Sequence, residues 1–350
     1  MVNRSNKETN SYSDEYEQSF EQLFGIVEQR LKIELKFSLS SLKSQQEIEQ
    51  LRFILRDFGL LLRVVYRYNA KYLLDSEIKR YMQYLKSRNL PIKLATFLID
   101  SWLLAIQGIL KPPYCDILSQ PLIEVGKRFD RIPDLTISKI NSELNPKISK
   151  LAGFLLKSDI YGLRDSFLKK ISDAKTAKLF ITEYLLQALS NIGHYWLSNK
   201  ITIAEEHLAT ETAMQVLSEL KLLTPQKSSK PFCALITCVP GEYHSLPVKA
   251  LSVFLEFSGL RTIVPGQSMP SDEIVNLAVK ENTKKVFLSM TRASRLPETL
   301  FLAQSLLVLE NFQPDIIVGG GGIMEIIDIL KQYGLHVALN FEEAEHLAMA

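Results

Sequence analysis

Apolar positions fall into three textures along the chain. Between Asp14 and about residue 140 they recur at intervals of three and four: Phe58, Leu61, Leu62, Val65 and Tyr66 form one set, and Leu94, Phe97, Leu98, Trp102 and Ile106, behind Pro91, form another. That spacing puts side chains on one stripe of a helix, so the block 14–140 is predicted all-α. Pro112-Pro113 stops its second run, because proline cannot continue a helical ladder. Residues 1–13 are rich in Ser, Asn and charge and are expected to be a disordered tail. The polar segment from Pro133 to Pro146 is expected as a linker. Residues 148–222 give a second helical group, with Ile181, Leu185, Leu189, Ile192 and Trp196 on one stripe and Thr202-Ile203-Ala204-Glu205 as a capping box opening a helix toward Leu220. A further linker, Thr224 to Pro231, precedes the third texture. There, apolar runs at 232–239, 261–264, 284–289, 315–318 and 335–339 alternate with helical stretches near 246–258, 271–281, 296–311 and 322–333. Strand–helix alternation with short connections predicts a doubly wound parallel sheet over 231–350.

Composition narrows the function classes. A hydrophobic share of 46% and a charged share of 23% are globular values. Lys plus Arg number 41 and Asp plus Glu 39, a net charge of +2, which gives no reason to expect direct nucleic-acid binding. Cys115, Cys233 and Cys238 form no CxxC pair and suit a reducing compartment. The polar start, Met1 to Glu15, is no signal peptide. The most apolar stretch, Phe97 to Leu110, is interrupted by Asp100 and too short to span a bilayer. A cytoplasmic protein with no membrane partner is expected.

Ligands of doubly wound sheets bind outside the carboxyl ends of the strands. His244, in Val239-Pro240-Gly241-Glu242-Tyr243-His244-Ser245-Leu246-Pro247, follows the first predicted strand; Ser289 and Thr291 follow the third; Gly319 to Gly322 follow the fourth. Forty-one residues separate Pro247 from Ser289, and twenty-seven separate Thr291 from Gly319. A neutral imidazole is a good ligand for a transition metal, and a ligating His gives its other N–H to a carboxylate, a role open to Glu242. Taken singly, His244 reads equally as a loop histidine of an unrelated domain, and the glycine run as a phosphate cradle.

The three elements at these intervals resemble the base-off, His-on cobalamin-binding motif. The resemblance implies a flavodoxin-like fold, His244 as the lower ligand of cobalt, Glu242 and Thr291 beside it, Ser289 bonding the nucleotide tail, and Gly319 and Gly320 admitting that tail close to the backbone. Glu242 stands where the family usually has Asp, Pro247 where it has Gly, and Thr291 where it has Leu. Residues 148–222 resemble the four-helix cap of methionine synthases and their relatives. Within it, Trp196 followed after nine residues by Glu206-His207 is similar to the light-sensing, B12-dependent MerR-type repressors. There the pattern implies accommodation of 5′-deoxyadenosyl, with an indole wall and a carboxylate for ribose hydroxyls. As ordinary structure, Trp196 would be a core aromatic, and Glu205 and Glu206 would stabilise a helix N-terminus. Leu197 occupies the place of a family histidine, with His194 one turn before it.

The N-terminal block shows no winged-helix pattern. Its place ahead of the B12 module resembles the architecture of photocobilins, which implies a globin- or phycobiliprotein-like domain for biliverdin or another bilin. Arg56, Arg63, Arg67 and Lys71 would pair with propionates, Tyr66, Tyr68, Tyr72 and Trp102 would wall the chromophore, and Cys115 is either a thioether site or a buried thiol. The expectation is a non-enzymatic adenosylcobalamin light sensor acting through homo-oligomerisation or a protein partner. The alternative is a corrinoid methyl-carrier protein.

Overall fold

The computed structural model describes residues 2–37, 45–88, 90–129, 145–223 and 231–350. Most of the two expected linkers lies outside them. The chain divides into two compact units, 1–138 and 139–350.

Among the described residues, the first unit has five helices: α1 (Val2–Phe37), α2 (Gln45–Tyr68), α3 (Tyr72–Ser87), α4 (Lys93–Ile109) and α5 (Tyr114–Arg128). The two apolar stripes read from the sequence are buried on α2 and α4. Trp102 on α4 is fully buried. Its ring stacks on Phe20 and Phe24 and its Nε1–H donates to the Leu55 carbonyl at 2.9 Å. A Cβ at Gly59 would stand 2.0 Å from that indole, so glycine is what lets α2 approach it. The expected tail is corrected here, because α1 begins at Val2. Tyr12 packs edge-on against Tyr114, and Ser13 is buried. Once Tyr16, Phe20 and Phe24 fix the helix, extending it costs little, and polar composition alone does not stop it.

In the second unit, helices precede a sheet. α6 (Pro146–Leu156) and α7 (Ile160–Ser166) lead to a continuous helical rod made of α8 (Ala174–Leu179), a π-helical turn (Phe180–Leu185) and α9 (Leu186–Leu197); α10 (Ile203–Leu223) follows. The capping box forms as read: Thr202 N–H donates to Glu205 Oε2 at 2.7 Å, and Glu205 N–H to Thr202 Oγ1 at 3.2 Å.

The sheet strands are β1 (Cys233–Cys238), β2 (Arg261–Ile263), β3 (Lys285–Ser289), β4 (Asp315–Gly319) and β5 (His336–Val337). All neighbours are parallel, in the order β2-β1-β3-β4-β5, the flavodoxin-like order, with its switch point between β1 and β3. Every residue of β1 is buried, as in a sheet covered on both faces. The covering helices are α11 (Leu246–Glu256), α12 (Ser271–Lys280), α13 (Leu296–Leu307), α14 (Ile327–Gln332) and α15 (Phe341–Met349).

One apolar core runs through the second unit, joining Leu151, Ile181 and Leu217 of the helical part to Ile236, Phe254 and Phe287 of the sheet part. Lys178 adds a polar tie: its Nζ donates to Glu345 Oε1 at 2.5 Å, and Ser258 Oγ donates to the same oxygen.

Candidate functional site

Register decides what meets at the sheet's upper edge. Ser289 is opposite Cys238 on one side and Gly319 on the other, so the loops after β1, β3 and β4 leave the sheet side by side at the switch point. The His244 loop is tied down by Val239 N–H donating to the Ser289 carbonyl at 3.1 Å. Pro247 lies in the first turn of α11, where its missing N–H has no helical partner to lose.

His244 and Glu242 form the centre. His244 Nδ1–H donates to Glu242 Oε1 at 2.5 Å. The imidazole side chain is 68% exposed while the carboxylate is 4% exposed. Glu242 Oε1 also accepts from the backbone N–H groups of Tyr243 at 2.9 Å and His244 at 3.1 Å. Its Oε2 accepts from Thr291 N–H at 2.9 Å and from the Thr291 hydroxyl. Burial pushes the Glu242 carboxyl up, but the hydrogen bonds from His244 and Thr291 outweigh it and bring the group down to about 2. The bond to Glu242 raises His244 above the ordinary histidine value, against its partial burial. Fixing Nδ1 in this way leaves Nε2 directed away from Glu242, as in a histidine whose other ring nitrogen is held by a carboxylate.

Thr291 is therefore a support for Glu242, and Thr291 Oγ1 also lies 3.2 Å from His244 Nδ1. Nothing in the spacing of residues 242, 244 and 291 indicates this hydroxyl bridge, which depends on the β1–β3 register.

Beside this triad a cavity of about 260 Å³ enters the domain, bordered by Ser289, Gly319, Gly320 and Gly321 on the β3–β4 side and by Asn340 and Phe341 on the other. Its mouth carries the exposed apolar side chains of Met324 and Leu339, the kind of surface that a bound group covers. The sequence reading missed the wall from residues 338–344, although the loop after β5 is also a carboxyl-end loop and could have been nominated on that ground.

The glycines have two jobs. Gly320 has φ +104°, and a Cβ there would meet the Met290 carbonyl oxygen at 2.4 Å; one at Gly322 would meet the Arg292 nitrogen at 2.4 Å. These two hold the loop after β4 against the loop after β3. Gly321 has nothing within 4 Å of a built Cβ and leaves the cavity wall open.

The residues fit a cobalamin. One exposed imidazole nitrogen, its partner nitrogen held by a buried carboxylate, suits a corrin metal that needs a single protein ligand, and the adjoining apolar slot suits a displaced nucleotide tail. Among the described residues there is no group of three or more His, Cys, Asp or Glu able to hold a metal ion, and a corrin cobalt requires none.

On the helical side, Trp196 lies in the last turn of α9, half-exposed, and Glu206 lies in the first turn of α10. Glu206 Oε1 accepts from the Thr210 hydroxyl at 3.0 Å. His207 is mostly exposed, with Nε2 4.0 Å from Glu206 Oε2. Glu206 is near enough to His244 to favour its charged form, so the α9–α10 turn and the His244 loop share one side of the unit. Lys221 near the end of α10 pairs with Glu256 at the end of α11 at 2.7 Å, which ties these two helix ends together. Leu197 and His194 are exposed.

In the first unit, the expected bilin partners are otherwise engaged. Arg56 pairs with Glu21, Arg63 with Glu17, Arg67 with Asp14 and Lys71 with Glu124. Trp102 is core. The Tyr66 hydroxyl donates to the Leu118 carbonyl at 2.8 Å, and burial raises its pKa well above the ordinary tyrosine value. Cys115 is a buried thiol.

Residues 148–221 match the model of the family described as "B12 binding domain". The HTH-type transcriptional repressor CarH of Myxococcus xanthus is 25% identical over 169 residues, 47% of this chain and 55% of that protein. The chain thus spans about half the length of this curated relative. Among solved structures, the monomethylamine corrinoid protein of Methanosarcina barkeri aligns with TM-score 0.47 and 19% identity over 59% of this chain and 98% of its own. A cobalamin-binding protein of Desulfitobacterium hafniense aligns with TM-score 0.33 and 19% identity over 58% and 97%. Within the second unit it is residues 148–221 that are similar to a B12 binding domain.

Proposed function

We propose that the chain is an adenosylcobalamin-dependent light sensor whose output is a change in its association with itself or with a protein partner. The carrying observation is the pairing of two features on one side of the second unit: an imidazole preoriented by a buried carboxylate, and the Glu206 end of the α9–α10 turn close enough to act on it electrostatically.

His244, through Nε2, is the residue that would hold cobalt, and Ser289 with the glycine-lined slot would take the nucleotide tail. When bound, adenosylcobalamin supplies a cobalt–carbon bond that light can cleave. The chain's own residues do the rest. Glu242 and Thr291 keep the imidazole in one tautomer and orientation. Trp196 supplies a flat apolar wall; Glu206 and His207 supply polar groups for ribose hydroxyls. Because the helical part and the sheet share one core, displacement of a group bound between Trp196 and His244 is transmitted into their packing.

Trp196 is the discriminating residue. Trp196→Ala should lower the preference for adenosylcobalamin over methylcobalamin while leaving His244 ligation intact, measured by equilibrium dialysis with both forms. A wild type that binds the two equally removes the adenosyl reading and favours a methyl carrier. The bilin component rests on architectural resemblance; a cavity of about 430 Å³ beside Tyr66, Lys71 and Pro121 is one space among the described residues of the first unit that a bilin would use.

A further inference from the structure

The helical part of the second unit has another concavity, at the opposite end of the α8–α9 rod from Trp196. Tyr184, on its wall, and Trp196 are separated by roughly 18 Å of helix at 1.5 Å per residue. The concavity measures about 320 Å³, the lower end of the range for small-molecule sites, and no sheet residue lines it.

Its walls are aromatic. Phe167 sits at the centre, with ring centroids 6.1 Å from Phe180 and 6.4 Å from Tyr184. Phe180 and Tyr184 belong to the π-helical turn, Phe180–Leu185. Such turns are rare and are found frequently at functional sites; this one shapes the wall.

Its rim is cationic. Lys147, Lys150 and Lys170 line the opening, and no Asp or Glu lines it. Two carboxylates close in sequence are committed elsewhere: Asp165 pairs with Lys169 and Asp173 caps α8 through Thr176 N–H. Lys150 Nζ instead lies over the Phe154 ring, 5.5 Å from its centroid. Three lysines thus border an apolar hollow that no Asp or Glu lines, an arrangement that repels cations and rewards an anion.

We infer that this pocket binds a small amphipathic carboxylate, its apolar body against Phe167, Phe180 and Tyr184 and its carboxylate among the three lysines. The site is separate from the cobalamin region and independent of the reading given for it.

Calorimetric titration of the cobalamin-loaded full chain with octanoate, octanol and octylamine tests this. Octanoate should bind one per chain, and octanol and octylamine about tenfold more weakly or worse. The triple variant Lys147→Ala, Lys150→Ala, Lys170→Ala, all exposed positions, should weaken octanoate by about tenfold and leave octanol unchanged. The cobalamin absorbance should not move during the titration. Equal binding of octanoate and octanol, no octanoate binding at millimolar concentration, or full octanoate affinity in the triple variant would each overturn the assignment.

Discussion

The Glu242 carboxylate concentrates the physics of the site in one residue. Its two oxygens receive five hydrogen bonds, two of them from a residue forty-nine positions away. Removing the Thr291 hydroxyl with Thr291→Val leaves a buried carboxylate one donor short. A lost partner behind a metal ligand costs about 10- to 100-fold in affinity. Equilibrium dialysis should therefore show cobalamin binding at least about tenfold weaker in Thr291→Val, and unchanged binding would mean that Thr291 is incidental.

The same pair dictates a pH dependence of stability in the cobalamin-free chain. Glu242 is lowered from 4.5 to about 2, so its contribution is complete above pH 4.5 and disappears as pH falls toward 2. His244 is raised from 6.5, so its contribution is complete below pH 6.5 and is lost as pH rises through the raised value. The difference in urea midpoint between wild type and Glu242→Gln should be greatest between about pH 4.5 and 6.5 and shrink on both sides. A flat difference would show that the pair is not coupled as described.

At this scale, His244 and its neighbour Glu242 were legible because a two-residue offset keeps the two close in space. Thr291 was legible as a position but not as a donor, because its hydroxyl reaches Glu242 only through the β1–β3 register.

Elements were easier to read than contacts. The five strands stand within two residues of the expected runs at either end, because the strands of a parallel sheet covered on both faces are near-continuous apolar stretches. The helix expected near 322–333 is shorter, Ile327–Gln332, since Gly320 and Gly322 commit the preceding residues to packing on the loop after β3. This makes neighbouring glycines behave differently. Gly320→Ala, at φ +104° and against the Met290 carbonyl, should cost about 2 kcal/mol or more in denaturant unfolding. Gly321→Ala, with open space at its Cβ, should change stability by less than about 1 kcal/mol. Equal losses at the two sites would contradict the packing role given to Gly320. The start of α1 was misread for a related reason: composition marks the polar surface of a helix and a chain without structure alike, and only the packing of Tyr12 and Ser13 tells them apart.

The whole molecule is a helical unit, 1–138, and a second unit, 139–350, that contains the match to the B12 binding domain over 148–221. Among the described residues no helix is long and apolar enough to cross a membrane. The division into an all-helical part and a strand–helix part was visible in the change of apolar periodicity after Pro231. What the helical unit accepts was not visible, because the same arginines at helical spacing serve equally as ligand partners or as salt-bridge donors, and here they pair with Asp14, Glu17 and Glu21. The central claim concerns His244 and the light response together. It is tested most directly by the absorbance spectrum of the full chain loaded with adenosylcobalamin in the dark, recorded before and after green light, for wild type and His244→Ala. The account predicts a His-ligated spectrum in the wild type that changes irreversibly on illumination, and a sharp loss of binding or of the His-ligated spectrum in His244→Ala. A wild-type spectrum that light leaves unchanged, or a His244→Ala protein with the same affinity and spectrum as wild type, would contradict it.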